Sequence, residues 1–307
     1  MRHPGPPGVS AVRRRRNARQ EEESAPEPRH KRVPGANPAT AGVQPRGLFV
    51  TGTDTGVGKT LVTGGLAACL RARGIATGVM KPVETGCPTR QGIRVPRDGL
   101  FLRHMAGAGD PLERIVPYRL SAPLAPQVAA RREGLRLDLG RIQRAYRHIS
   151  RRHDLTLVEG AGGILVPIND DSLMLDLILA LRLPVLLVGR TGLGTLNHTL
   201  LSLECLARHQ APVVGVILNN PDGTRGLAAR TNPEVLRHWT TAPVLGILPH
   251  LRGIRTVRAH ADRIARGVEK DVQVDEILRA VGALRRAGFP LWRLRNRSSG
   301  RTVPSAG

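Results

Sequence analysis

The sequence predicts an α/β fold, with a mostly parallel central sheet and helices on both faces. Short, continuously apolar runs rich in Val, Ile and Leu alternate with longer stretches of helical period. The runs are apolar at successive positions rather than alternate ones, as strands covered on both faces are. Each run is closed by Gly, Pro, Asn or a charged residue. Right-handed crossovers between such strands build an open parallel sheet, and ligands bind where the strands end at their carboxyl side.

The elements follow in order. Residues 1–46 are rich in Pro, Gly, Arg and Glu and nearly free of large apolar side chains. Such a segment buries too little surface to offset its ordering entropy and is predicted to be a disordered basic extension. The first strand, 48–51, leads through a glycine-rich turn to a helix over 59–73. A strand at 75–80, helices at 98–107 and 138–152, and a strand at 155–158 come next. A helix at 172–182, a strand at 185–188, a helix at 195–209 and a strand at 213–218 continue the alternation. A helix at 226–238 and a strand at 244–248 end it. The folded domain is expected to span 47–288, with 289–307 a frayed basic tail rich in Arg, Ser and Gly.

Composition excludes several classes. Apolar residues make up 40% of the 307 but aromatics only 2%, so the core is aliphatic and a stacking platform for single-stranded nucleic acid is hard to build from so few rings. The most apolar stretch, 173–189, is broken by Asp176, Arg182 and Pro184, and no run reaches the ~18 apolar residues of a membrane span. The N-terminus has no apolar core of a secretory signal, and Cys69, Cys87 and Cys205 form no ligand-type spacing. A reduced, cytoplasmic setting is expected. The net charge of +23 invites a nucleic-acid reading, but only the basic flanks recommend it, as a tether added to another function. Of 47 basic residues only Lys31, Lys59, Lys81 and Lys270 are lysines. A Lys kept in an Arg-using chain suggests a site that needs a compact, flexible ammonium.

Lys59 sits in Gly52-Thr-Asp-Thr-Gly56-Val57-Gly58-Lys59-Thr60, between a predicted strand and a helix beginning with Leu61 in its first turn. Glycines let backbone N–H groups converge on phosphate oxygens, and the helix start adds partial positive charge. Lys59 would reach the β- and γ-phosphates, and the Thr60 hydroxyl would coordinate Mg²⁺. The Walker spacing places Gly six positions before Lys; here that position is Thr53, so the loop is one residue longer. A glycine-rich turn without nucleotide is the alternative. The loop narrows the fold to a P-loop NTPase-like one.

Met80-Lys81-Pro82-Val83-Glu84-Thr85-Gly86 closes the second strand. At that edge Lys81 can face the γ-phosphate from the side opposite Lys59, unless it is an ordinary surface lysine. Asp98 opens a helix, where a plain N-cap would also explain it. Glu159 follows an apolar run and precedes Gly160-Ala161-Gly162-Gly163, and a carboxylate there is costly to bury without a cation. Thr60, Asp98 and Glu159 supply a hydroxyl and two carboxylates, which suffice for a Mg²⁺ that keeps waters and phosphate oxygens. Asp170, Asp171 and Asp176 read as helix-start charges. Asn219 and Asn220 close the strand at 213–218, and an amide can read an adenine edge.

These motifs resemble those of the dethiobiotin synthetases, ATP-dependent carboxylases of biotin biosynthesis, over roughly 47–255. The loop Gly-Thr-Asp-Thr-x-Val-Gly-Lys-Thr, the segment Lys-Pro-Val-x-Thr-Gly and the run Val-Glu-Gly-Ala-Gly-Gly carry the resemblance. It implies that Lys81 binds a carbamate and the transferring phosphoryl group, that the Thr85 hydroxyl contacts the diamine, and that Thr60, Asp98 and Glu159 hold Mg²⁺. It further implies ATP as co-substrate, bound by residues 56–61, Asp98, 159–162, Asn219, Asn220 and the base-flanking Pro249-His250-Leu251. Residues 121–127 are similar to the loop that walls the diamine, and 192–199 to a segment at the subunit contact of a homodimer. His198 in that segment is read as structural. The family often has Glu at the place of Gly56 and an aromatic at that of His250. The implied reaction joins 7,8-diaminopelargonate and CO₂ or bicarbonate into a cyclic urea, through a carbamate and a carbamic-phosphoric anhydride, with ADP and phosphate released. The rival of another class is a partitioning or division-site ATPase switch. Those proteins usually carry a Lys at the start of the loop, and positions 52–56 contain none. A cobyrinate-type amide synthetase would need a glutaminase module for which no room remains.

Overall fold

The computed structural model describes residues 1, 46–223, 225–251 and 260–287, with side chains as far as 284. Apart from Met1 and Arg46, the expected extension 1–46 and tail 289–307 lie outside the described residues. All elements below fall in the unit Ala36–Gly307.

The central sheet has six strands, β1 (Gly47–Gly52), β2 (Thr77–Met80), β7 (Leu155–Gly163), β8 (Val185–Arg190), β9 (Val213–Asn219) and β10 (Val244–Leu248). Their order is β10-β9-β8-β1-β7-β2, and every pairing is parallel. β1 is flanked by β7 and β8, so the chain winds to one side of β1 and then crosses to the other. A crevice opens at such a switch point, outside the carboxyl ends of the strands. The inner strands are buried at nearly every position, which is why their sequences are uninterrupted apolar runs.

Of the helices, α1 (Lys59–Ala72) connects β1 to β2, and α5 (Leu139–Ser150) precedes β7. α6 (Met174–Leu181), α7 (Thr195–Arg208) and α8 (Leu227–Trp239) make the remaining crossovers. Right-handed connections put α1 on one face and α5 to α8 on the other. α1 packs against α2 (Arg97–Ala106) and α9 (Ala261–Asp271). The approach is close because Gly64 and Gly65 leave no room for a Cβ against Phe101 and Val268.

Three features depart from the reading of the sequence. β7 does not stop at Val158 but continues through Glu159 to Gly163, pairing Gly163 with Gly52 after a register shift. Glu159 is therefore inside a strand, and the glycines after it let the backbones run together. Between β2 and β7 lie pieces too short to show a period. They are β3 (Val83–Glu84), paired with β6 (Tyr118–Arg119), a β4–β5 hairpin (Thr89–Arg90 and Ile93–Arg94), α3 (Leu112–Ile115) and α4 (Pro126–Arg132). Beyond residue 248 the sequence reading assigns no element, yet α9 and α10 (Val274–Ala287) follow. α9 buries only Ile264 and Val268 among many charges, too few to stand out as a stripe.

Candidate active site

The phosphate loop joins β1 to α1 with Gly56 at φ 74° and Gly58 at φ 98°, both left-handed. A Cβ on Gly58 would also collide with the Asn219 carboxamide. Three side chains hold the loop through its carbonyls. Lys59 Nζ donates to Asp54 O at 2.8 Å, Arg190 Nη2 to Thr55 O at 3.0 Å, and Asn219 Nδ2 to Val57 O at 2.9 Å. Lys59 thus folds back over its own loop. Burial pulls its pKa down to about 8, against the pull of Glu159. An anion in the loop would restore the full charge on the ammonium.

Lys81 is not a surface lysine. It leaves the end of β2 with its backbone N–H donated to Ile115 O at 2.8 Å, and is only 5% exposed. Its Nζ lies 2.5 Å from Glu159 Oε1 and 3.0 Å from Asp98 Oδ2. Burial alone would pull this pKa down, but Glu159 and Asp98 outweigh it and raise it, so Lys81 stays an ammonium. Glu159 Oε1 also accepts from Thr60 Oγ1 at 2.7 Å. Burial pushes the fully buried Glu159 carboxyl above the usual range, against the pull of Lys81. Asp98 is half-buried; burial favours its neutral form, yet Lys81 prevails and holds it below the usual carboxylate range. Asp98 is no N-cap: Pro96 takes that place in α2, and the Asp98 carboxylate turns to Lys81.

Lys59, Thr60, Lys81, Thr85, Asp98 and Glu159 line one pocket of about 770 Å³, with Gly56, Gly58, Ala161 and Gly162. Pro123 to Pro126 form a wall of it. Of the other expected residues, Val57 is wholly buried, Leu61 packs on the core, and Gly160 packs beside Phe49. Asn219 lies under the phosphate loop, with its amide donor taken by Val57. Asn220 donates its backbone N–H to Leu248 O, and His250 Nδ1 is 2.8 Å from Pro221 O. Pro249 and Leu251 continue from β10 beside them, at the carboxyl ends of β9 and β10 rather than on the wall of the main pocket. His198 is exposed on a second groove of about 490 Å³, and its carbonyl accepts from Ser202. Asp176 caps α6 as a helix-start charge does, but Asp170 pairs with Gln127 and Arg131, and Asp171 with Arg136.

The cluster suits a hard cation. Glu159 Oε2 is buried with no protein partner, and Thr60 and Asp98 add oxygen donors beside it. Among the described residues no group of three or more His, Cys, Asp or Glu could hold a metal ion. A cation here would rest on two carboxylates and a hydroxyl, with phosphate and water completing its shell, as Mg²⁺ does.

Two residues of this site escape the sequence reading. Arg190 ends β8 and reaches Thr55 O, also lying 3.8 Å from Asp54. Glu84, in the variable place of its motif, accepts from the backbone N–H groups of Asp98 and Gly99. Burial pushes the Glu84 carboxyl up to about 7, with Asp98 adding to the rise. A charged residue between Val83 and Thr85, in a motif that runs into a strand, was the available signal.

Residues 46–258 match a family model described as an AAA domain. The chain is 41% identical over 240 residues to the ATP-dependent dethiobiotin synthetase BioD of Thermodesulfovibrio yellowstonii, covering 76% of this chain and 98% of that one. It is 44% identical over 204 residues to the same-named protein of Anaeromyxobacter dehalogenans, covering 66% and 90%. To that of Bacillus velezensis it is 37% identical over 233 residues, covering 76% and 97%. Among solved structures, the pNOB8 ParA protein matches with TM-score 0.50 at 14% identity, over 78% of this chain and 99% of that one. That likeness concerns the fold alone.

Proposed function

The chain belongs to the ATP-dependent dethiobiotin synthetase family, and we propose that Lys81 and Lys59 carry its reaction from two sides of the transferred phosphoryl group. The protein is an ATP-dependent ligase that carboxylates 7,8-diaminopelargonate with CO₂ and closes the ring, giving dethiobiotin, ADP and phosphate.

One unprotonated amine of the diamine adds to CO₂ and gives up a proton to solvent, leaving a carbamate. The Lys81 ammonium holds a carbamate oxygen toward the γ-phosphorus. That oxygen attacks, the bond from phosphorus to the ADP oxygen breaks, and a carbamic-phosphoric anhydride forms. Lys59 and the N–H groups of residues 56–60 balance charge on the transferring oxygens. The second amine then attacks the carbamoyl carbon, phosphate leaves, and the ring nitrogen loses its proton. Thr85 and the wall at 123–126 orient the diamine. Positioning and charge neutralisation supply most of the catalysis, so His198 needs no chemical role. Thr60, Asp98 and Glu159 would hold Mg²⁺, which when bound offsets the negative charge of the β- and γ-phosphates. Asn219, Asn220 and Pro249 to Leu251 form the base side of the ATP site. The observation that carries this reading is the convergence of Lys59, Lys81, Thr60, Asp98 and Glu159 on one pocket.

The catalytic unit spans 47–288, and two copies associate as a homodimer in the cytoplasm. Exposed Leu165, Leu193 and Leu201 support the dimer, and free cysteines support the reducing setting. No described helix is long and apolar enough to cross a membrane. The absence of Lys from 52–56 speaks against the partitioning-type switch.

Purified protein with diaminopelargonate, bicarbonate and MgATP is expected to yield the cyclic urea by mass spectrometry. Phosphate release should require both bicarbonate and the diamine. Lys81→Ala should abolish turnover while nucleotide titration still shows MgATP binding; joint loss of both would contradict the role given to Lys81.

A further inference from the structure

We infer that Glu84 is a positioning residue, clamping the start of α2 so that Asp98 faces Lys81 and the cation site. The inference rests on the reading of Asp98 as a Mg²⁺ ligand. The first turn of a helix has N–H groups without intrahelical partners, and a side chain at the N-cap normally accepts from one of them. In α2 the N-cap is Pro96, which has no side-chain acceptor to offer. Glu84 does so from another strand. Its Oε1 accepts from Asp98 N at 3.0 Å and its Oε2 from Gly99 N at 2.9 Å.

Glu84 borders the main pocket, and its strand and the helix start hold it in place. Glu84 is 5% exposed, and its own carbonyl accepts from Leu120 N at 2.8 Å, tying β3 to β6. A Cβ at Gly99 would run into Val116, so only glycine lets the helix start lie this close. With its backbone held, Asp98 places Oδ2 3.0 Å from Lys81 Nζ. The carboxylate brings two acceptor oxygens and so fixes two successive N–H groups at once. It joins the chain that carries Lys81 to the helix that carries Asp98. Groups that orient a metal ligand from outside are worth about 10- to 100-fold in metal affinity.

Glu84→Gln keeps the size but leaves one acceptor where two are needed. At saturating ATP it is expected to raise the Mg²⁺ concentration for half-maximal dethiobiotin synthesis about tenfold. The kcat should recover at high Mg²⁺, a split that general destabilisation would not produce. In the metal-free protein, deuterium exchange of residues 97–106 should speed up selectively. Glu84→Asp, which retains the charge but not the reach, should behave the same way. Faster exchange with an unchanged Mg²⁺ requirement would reduce Glu84 to a helix cap and overturn the inference. So would unchanged exchange, or full retention of wild-type behaviour by Glu84→Asp. A wild-type protein that makes no dethiobiotin at any Mg²⁺ concentration would instead overturn the reading beneath it, and the exchange measurement would still decide the clamp.

Discussion

Gly58 and Asn219 meet across the floor of the phosphate loop, and neither tolerates change. Gly58 has φ 98° and lies against the Asn219 carboxamide, so Gly58→Ala imposes both backbone strain and a collision. Nucleotide titration is expected to show at least about a tenfold loss of ATP affinity, equivalent to ~1.4 kcal/mol. Asn219→Ala removes the donor to Val57 O and leaves a buried carbonyl unpaired. A loss of about 1–3 kcal/mol in folding stability by urea unfolding is expected, together with weaker ATP binding.

Two helices solve the problem of their free N–H groups differently. α5 caps itself: Asp138 Oδ1 accepts from Gly140 N at 2.8 Å and Oδ2 from Arg141 N at 3.0 Å. α2 is capped by Glu84 from a distant strand. The self-capped helix allows a pH prediction. The Gly140 N–H, with that of Arg141 and the Arg144 guanidinium, holds the Asp138 carboxyl below the usual carboxylate range. Because the folded pKa is depressed, the contribution of Asp138 is present above the unfolded value and disappears as pH falls through the folded one. Asp138→Ala should cost about 1 kcal/mol at pH 7 by urea unfolding. The gap to wild type should narrow progressively below about pH 4, where the unfolded carboxyl titrates. A gap that stays constant down to pH 2 would show that the carboxylate charge is irrelevant to the cap.

For the molecule as a whole, the apolar surface is as informative as the pocket. Leu165 is 55% and Leu201 60% exposed, and both line the groove beside the phosphate loop that also holds His198 and Cys205. Leu193, at 94%, stands out in the turn before α7. Exposed leucines grouped next to a site mark a contact surface. Sedimentation velocity is expected to show a dimer at micromolar concentration, and Leu201→Glu should shift it to monomer. A wild-type chain that stays monomeric at high concentration would refute the proposed assembly.

The motif lysines, the acidic Glu159 and the six core strands were legible because each is local. A phosphate loop needs its glycines and Lys at short spacing, and a doubly covered strand is apolar at successive positions. The short β3 and β6, and the helices past 248, were not legible, since two-residue strands have no period and α9 carries few apolar anchors. At Asp98 the chain left open a choice between helix cap and cation site; the approach of Lys81 to 3.0 Å, with Pro96 at the cap, favours the second. Arg190 and Glu84 join the site only through folding. Arg190 meets Thr55 across 135 positions, and Glu84 meets Asp98 across a hairpin and a turn. Spacing along the chain encodes groups that one loop or strand must present together, whereas contacts between separate elements depend on how helices and sheet pack, which no local pattern contains.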